Sequence, residues 1–153
     1  MEKFLENIQE AQRTIQVIDH MIYVTFPLIQ DKKILLKIIT ETKEVLIRCI
    51  NSILQYEYLY KRVDLYSNPK TNFRTFKDKC AQRYEITKEE IESILDLFEL
   101  VEKHKQSTIE FLKNGKVIIL SESLQKDTIT LEKIKEFFRL SKSILEKTLT
   151  KIR

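Results

Sequence analysis

The 153-residue chain contains very little glycine, proline, cysteine or tryptophan: one Gly, two Pro, two Cys and no Trp. So few Gly and Pro residues exclude collagen-like chains, flexible linkers and turn-rich β-sandwiches. A single Gly also excludes a phosphate-binding loop and a dinucleotide-binding fingerprint. Cys49 and Cys80 each lie inside a helical pattern, which indicates buried thiols rather than a disulfide framework.

Long apolar runs are also missing. No segment approaches the ~18 apolar residues that a membrane span needs, and the N-terminus lacks the apolar core of a signal peptide. The two Cys and two His do not have the spacing of metal ligands. We therefore expect a cytoplasmic protein with no cofactor, no metal, no membrane partner and no evident small-molecule substrate.

The residues that are present favour helices. Hydrophobic residues make up 42% of the chain, which is too many for general disorder, and charged residues make up 33%. The length predicts one domain over residues 1–153, able to bury about two thirds of the surface that the unfolded chain exposes. The apolar spacing predicts an all-α fold, an up-and-down bundle of about five helices with one long central helix.

Apolar spacing and proline define the first two helices. Apolar residues recur at intervals of three and four over residues 4–22, a stripe that must face another helix. Pro27 disfavours the helical conformation in the residue before it, so this helix should end near Tyr23. Residues 24–28 should then form an apolar connector packed against the core. The second helix, from about 31 to 67, lacks Gly and Pro and has a narrow polar stripe, so it should be central.

Capping signals place the remaining helices. The Asn-Pro pair at 68–69 predicts the start of a third helix that runs to about Arg83. Thr87–Glu90 forms a capping box for a fourth helix, and Thr130 caps the last one. Residues 108–120 are ambiguous. A second capping pattern favours a short helix followed by an extended run, whereas Asn-Gly between two apolar runs is also a hairpin signal.

Positive charge is concentrated between residues 61 and 86. This segment carries seven Lys or Arg against three Asp or Glu, so its net charge of +4 equals that of the whole chain. Lys70, Arg74 and Lys77 are spaced i, i+4 and i+7, on one face of the predicted third helix. The candidate nucleic-acid-binding residues are Lys61, Arg62, Tyr66, Lys70, Arg74, Lys77, Lys79 and Arg83.

Two interpretations of this basic segment remain open. In the first, the cations neutralise the phosphates of RNA while a tyrosine ring stacks on a base. In the second, they form a solvated helix face whose charges pair with the acidic fourth helix, between Glu89 and Glu102.

Catalysis has one candidate, the pair Arg13 and His20. Seven residues apart on a helix, they share a face and lie about 10 Å apart along its axis. Such a pair can hold a scissile phosphate and transfer a proton, as metal-independent ribonuclease chemistry requires. The spacing resembles the Arg-x(4–6)-His motif of HEPN ribonucleases, helical bundles that dimerise to form their active site. The alternative is that His20 only ends the helix, where an imidazolium suits the dipole.

Four parts of the chain together carry a resemblance: Asp19–Leu28, Tyr56-Glu57 with Lys61-Arg62, Phe73-Arg74 with Lys79-Cys80, and Glu102–Ser107. They resemble a family of small, uncharacterised archaeal proteins. The resemblance covers most of the chain and implies an archaeal source, a cytosolic location and an all-helical fold. That family has no established activity, so the resemblance implies no functional residues.

Association is the last expectation. The apolar surplus of the second helix and the stripe of the first predict a homodimer whose interface includes one of them. We therefore expect a non-catalytic helical interaction module, associated with RNA through its basic helix face. The alternatives are a HEPN-like metal-independent ribonuclease and a purely structural homodimerising protein.

Overall fold

A 28-residue helix lies at the centre of the fold. The computed structural model describes residues 2–106, 109–113, 116–120 and 126–152. The helices α1, α4 and α5 all pack against the central helix α2, so the predicted all-α bundle around one long helix is confirmed. The helices are α1 (Lys3–His20), α2 (Lys32–Leu59), α3 (Pro69–Thr75), α4 (Lys88–Gln106) and α5 (Leu131–Lys151).

The contact between α1 and α2 is the most extensive in the bundle. It buries Ile8, Ala11 and Ile18 of α1, the middle of the predicted apolar stripe. Polar bonds also join the two helices: Ser52 Oγ donates to the carbonyl of Phe4 at 2.8 Å. The Asn7 side-chain amide donates to that of Gln55 at 3.0 Å, and Arg48 donates to Asn7 at 3.1 Å. The first helix is therefore fixed in register along α2.

The central helix is shorter than predicted. It ends at Leu59 rather than near residue 67, because Lys61 adopts a left-handed backbone conformation with φ of 61°. The N–H of Arg62 then donates to the carbonyl of Glu57, and that of Lys61 to Tyr58, both at 2.9 Å. These two bonds form a Schellman motif, which satisfies carbonyls that a helix end leaves unpaired.

Helix ends in this chain use residues other than glycine. The predicted third helix is α-helical only to Thr75 and continues through a π-helical turn, Phe76–Cys80, rather than as an α-helix to about Arg83. Glu85, with φ of 58°, closes the turns that follow by a second Schellman motif, in which Ile86 N–H donates to Ala81 O at 2.9 Å. Gln30, with φ of 53°, ends the segment that follows α1. Each residue pays the steric cost of a left-handed conformation that Gly would not have.

The predicted N-caps are confirmed. Asn68 Oδ1 accepts from the N–H of Lys70 at 2.9 Å, with Pro69 at the first helical position of α3. Thr87 and Glu90 bond reciprocally, at 3.0 and 3.1 Å, and form the capping box of α4. Thr130 Oγ1 accepts from Lys133 N–H at the start of α5. Local sequence therefore determines where three helices begin.

The connector after α1 differs from the expectation. The chain continues through a π-helical turn, Met21–Thr25, and a helical turn, Phe26–Ile29, instead of ending near Tyr23. Pro27 is tolerated because it lies in the first turn of that last segment, where its missing N–H costs little. The prediction of a packed connector is only partly right: Phe26 is buried, but Leu28 and Ile29 are 80% and 63% exposed.

The chain between α4 and α5 forms a small antiparallel sheet. Its strands are β1 (Ile109–Lys113), β2 (Lys116–Leu120) and β3 (Lys126–Ile129), in the order β1-β2-β3. The favoured short helix at 108–120 was therefore wrong, and the hairpin alternative is correct. The residues that carried the competing signals, 107–108 and 114–115, lie outside the described residues. Strands form here because Val117 and Ile129 reach the helical core, a burial that local capping signals do not report.

Candidate nucleic-acid interface

A buried carboxylate organises the predicted basic segment. Glu57, in the last turn of α2, has a side chain that is only 2% exposed. Its Oε2 accepts a hydrogen bond from Nε of Arg62 at 2.8 Å and lies 2.7 Å from Nη2 of the same residue. Its Oε1 forms an ion pair with Arg83, 3.1 Å from Nε. The hydrogen bond to Glu57 raises the pKa of the Arg62 guanidinium. Arg62 and Arg83, two of the eight predicted residues, are therefore paired with Glu57.

The loop between α2 and α3 is held by an amide clamp. The Asn72 side chain accepts from the N–H of Tyr66 at 2.8 Å and donates to the carbonyl of Tyr66 at 2.7 Å. Both bonds join α3 to a residue that precedes it by six positions. They fix the backbone that carries the exposed Tyr66 ring next to the basic face of α3.

Five of the predicted cations remain available to an external anion. Each is exposed, and none forms an ion pair with a carboxylate of the described residues. On α4, Glu90 pairs with Lys147 and Glu99 pairs with Lys103, so these acids do not face the basic segment. The five cations are Lys61, Lys70, Arg74, Lys77 and Lys79.

Three tyrosines with about half of their surface exposed lie between residues 58 and 66, where α2 ends and the basic segment begins: Tyr58, Tyr60 and Tyr66. Tyr60 is not among the residues predicted from the sequence. The spacing of four between Tyr56 and Tyr60 does indicate that the two rings are neighbours on a helix. The two rings contact each other with centroids 4.8 Å apart, and Arg62 stacks 5.1 Å from the centroid of Tyr60. Exposed rings beside cations are the elements of single-strand recognition.

A shallow cavity of about 390 Å³ lies at the end of α2, where tyrosine and cations meet. It contains two of the unpaired lysines and one arginine of the Glu57 cluster, together with one carboxylate, that of Asp64. Its lining residues are Tyr58, Leu59, Lys61, Arg62, Val63, Asp64 and Lys79.

The candidate catalytic pair is exposed on α1. Arg13 forms an ion pair with Glu10, one turn earlier on the same helix. The ring Nδ1 of His20 lies 3.3 Å from the hydroxyl of Thr25, so the π-helical turn supplies a partner for the imidazole. Catalysis by Arg13 and His20 stays a prediction.

The two thiols and one phenol are held in their protonated forms. Burial raises the pKa of Cys49 to about 12, and burial together with the charge of Glu57 raises that of Cys80 to about 11. Burial and Glu57 also raise the pKa of Tyr84, whose hydroxyl has no hydrogen-bond partner among the described atoms. None of the three groups is activated as a nucleophile.

The described residues contain neither a metal-binding cluster nor a membrane-spanning helix. No group of three or more His, Cys, Asp or Glu side chains there could hold a metal ion. None of the described helices is long and apolar enough to cross a membrane.

Comparison with known proteins adds no assignment. No protein-family model, curated protein or solved structure matches the chain. The proposed function therefore rests on the geometry and charge of the interface.

Proposed function

We propose that this protein is a non-catalytic RNA-binding module that holds single-stranded RNA in the cytoplasm against α3 and the loop before it. The observation that carries the proposal is the set of five exposed cations without carboxylate partners, next to three exposed tyrosines. Cations neutralise phosphates along the strand, and aromatic rings stack on unpaired bases.

The spacing on α3 suits a phosphate backbone. Lys70 and Arg74 are four residues apart on α3, so their side chains share one side of that helix. Lys77, also exposed, follows in the π-helical turn Phe76–Cys80 and extends the row of cations. The Glu57 cluster contributes order rather than free charge, because it anchors the ends of this segment through Arg62 and Arg83. The rigid segment lowers the entropy lost when a strand is bound.

The experiment compares two charge reversals of the same size. The first variant carries Lys70→Glu, Arg74→Glu and Lys77→Glu. The control carries Lys135→Glu, Arg139→Glu and Lys142→Glu, which are the same residue types at the same spacing on α5. Affinity for a labelled 15-nucleotide uridine strand is measured by fluorescence anisotropy at 150 mM NaCl.

The proposal predicts that the α3 variant loses binding while the α5 control retains most of it. Stability should change little in the α3 variant, because exposed substitutions usually cost under about 0.5 kcal/mol each. Equal losses in both variants would show that only net charge matters. A loss of stability without any wild-type affinity would instead support the interpretation of a paired, solvated helix face.

Homodimer formation is a second candidate, favoured by the apolar surface after α1. Tyr23, Val24, Leu28 and Ile29 are all exposed there, within seven residues. Contiguous apolar patches are uncommon on monomers and often mark interaction sites. A Leu28→Glu, Ile29→Glu variant should then convert a dimer into a monomer in light scattering, whereas Leu65→Glu, at another exposed leucine, should not. A wild-type monomer at high micromolar concentration contradicts this candidate.

A further inference from the structure

An apolar groove runs between α2, α3 and α4. It borders the basic segment, with which it shares Lys70. Its volume is about 580 Å³, within the range of sites that hold small molecules. Most of its surface is aliphatic or aromatic. The lining residues are Lys43, Ile47, Ile50, Asn51, Leu54, Pro69, Lys70, Asn72, Phe73, Leu95 and Phe98.

The groove is elongated along α2. Its α2 wall extends from Lys43 to Leu54, twelve residues that span roughly 16 Å of helix. The facing wall contains the rings of Phe73 and Phe98, whose centroids are 6.0 Å apart and whose planes are inclined at 63°. It also contains Leu95, which is 44% exposed. These dimensions suit an extended apolar chain better than a compact ligand.

Among the described residues, the only charges that line the groove are positive. Lys43 Nζ lies 5.6 Å from the ring centroid of Phe98, and Lys70 stands on the opposite wall at the start of α3. No carboxylate lines the groove, and neither lysine pairs with a carboxylate of the described residues. The Asn72 amide is already bonded to the backbone of Tyr66. An occupant must therefore supply an anion and needs few other polar groups.

We propose that this groove binds an anionic amphiphile, a molecule with an unbranched apolar chain and one terminal carboxylate. The chain displaces water from the aliphatic wall of α2 and from the two phenylalanine rings, and Lys43, beside the Phe98 ring, holds the carboxylate by a charge-assisted hydrogen bond. A nucleobase fits poorly because its edges need several hydrogen-bond partners, and Asn51 is the one neutral polar side chain of the described lining besides the already bonded Asn72. The site does not depend on RNA binding.

A homologous series tests the chemistry of the ligand. Hexanoate, octanoate and decanoate, each below its micelle concentration, are titrated into the protein and followed by calorimetry. Affinity should rise roughly fourfold for each added methylene, because each one buries more apolar surface. The matched alcohols, hexanol to decanol, should bind more weakly because they carry no charge. Equal affinity of acid and alcohol, or affinity independent of chain length, overturns the proposal.

Single substitutions test the location. Lys43→Gln should weaken decanoate binding roughly tenfold and leave decanol binding unchanged. Leu95→Glu should abolish decanoate binding by placing a carboxylate in the groove, whereas Leu5→Glu, a similarly exposed leucine on α1, should have no effect. Unchanged decanoate binding in folded Lys43→Gln and Leu95→Glu variants rejects this groove as the site.

Two controls separate this site from the other proposals. Arg74→Gln with Lys77→Gln should reduce RNA binding and leave decanoate binding intact, since neither residue lines the groove. If Leu95→Glu instead converts a dimer of the wild type into a monomer, a second copy of the chain occupies the groove. That result overturns the amphiphile proposal without affecting the RNA proposal.

Discussion

Arg62 is bonded to Glu57 twice, once through the backbone and once through the side chain. Its N–H donates to the Glu57 carbonyl at 2.9 Å, and its Nε donates to the Glu57 carboxylate at 2.8 Å. The first bond ends α2. The second joins the buried carboxylate of Glu57 to Arg62, near the start of the basic segment. Arg83 completes the cluster from the far end of that segment.

Removal of the arginines should destabilise the protein more than removal of the carboxylate. Glu57→Gln leaves two arginines that already reach water, so we expect a loss of about 1.5–3 kcal/mol for the lost charged hydrogen bonds. The Arg62→Gln, Arg83→Gln double variant leaves a carboxylate buried without a counter-charge and should lose more. Urea unfolding gives both values. A double variant as stable as Glu57→Gln contradicts this account.

Glycine at the left-handed positions should stabilise the protein. Gln30→Gly and Glu85→Gly should each raise the free energy of unfolding by about 1 kcal/mol, since Gly avoids the clash of Cβ with the carbonyl oxygen. Gln30→Ala and Glu85→Ala are the controls and should show no gain, because Ala keeps its Cβ. If the Ala variants gain as much as the Gly variants, the side chains and not the backbone conformation carry the effect.

The contribution of Glu90 should depend on pH. Burial opposes ionisation of this carboxylate, but hydrogen bonds from Lys147, from the Thr87 backbone and from Ser143 outweigh it and lower its pKa from 4.5. A carboxylate with a lowered folded-state pKa stabilises the protein above its unfolded value and loses that contribution as the pH falls through its folded value. The stability difference between wild type and Glu90→Gln should therefore be full at pH 7 and shrink below about pH 4.5.

Urea unfolding at pH 7 and pH 3.5 measures this difference. The control is Glu92→Gln, an exposed carboxylate on the same helix. It should show a smaller effect at pH 7. A Glu90→Gln effect that is equal at both pH values would falsify the role of the Lys147 pair.

Neither thiol should react in the folded protein. With the pKa of Cys80 near 11, less than about 1% of this thiol is ionised at pH 8, and Cys49 is less ionised still. Iodoacetamide should modify both residues at a rate limited by unfolding, as measured by mass spectrometry with and without urea. The Cys49→Ser and Cys80→Ser variants identify each site. Rapid modification of native protein would reveal local opening around α2 or α3.

Local signals in the sequence predicted the start of most helices. Asn68, Thr87 and Thr130 cap the helices that they were expected to cap, because an N-cap bond involves residues only two or three positions apart. The apolar stripe over residues 4–22 likewise identified the buried face of α1, since burial follows helical periodicity over several turns.

Features that depend on distant residues were not predicted. The early end of α2 depends on Lys61 in a conformation that Gly usually adopts, and on Arg83, which lies far along the chain. The sheet depends on burial of Val117 and Ile129 against the helices. The groove needs three helices to be placed together, so no single segment could indicate it.

The salt dependence of RNA affinity tests the central claim most directly. For the wild-type protein, a plot of the logarithm of the association constant for a uridine strand against the logarithm of the NaCl concentration should be a falling straight line between 50 and 200 mM. Each phosphate contact should add about 0.7 to the steepness of its slope. In the Lys70→Gln, Arg74→Gln, Lys77→Gln variant the slope should be smaller by about 2, because three contacts are lost. The Lys135→Gln, Arg139→Gln, Lys142→Gln control should keep the wild-type slope. Wild-type affinity that does not respond to salt, or a slope that both variants change equally, contradicts RNA binding by the basic face of α3.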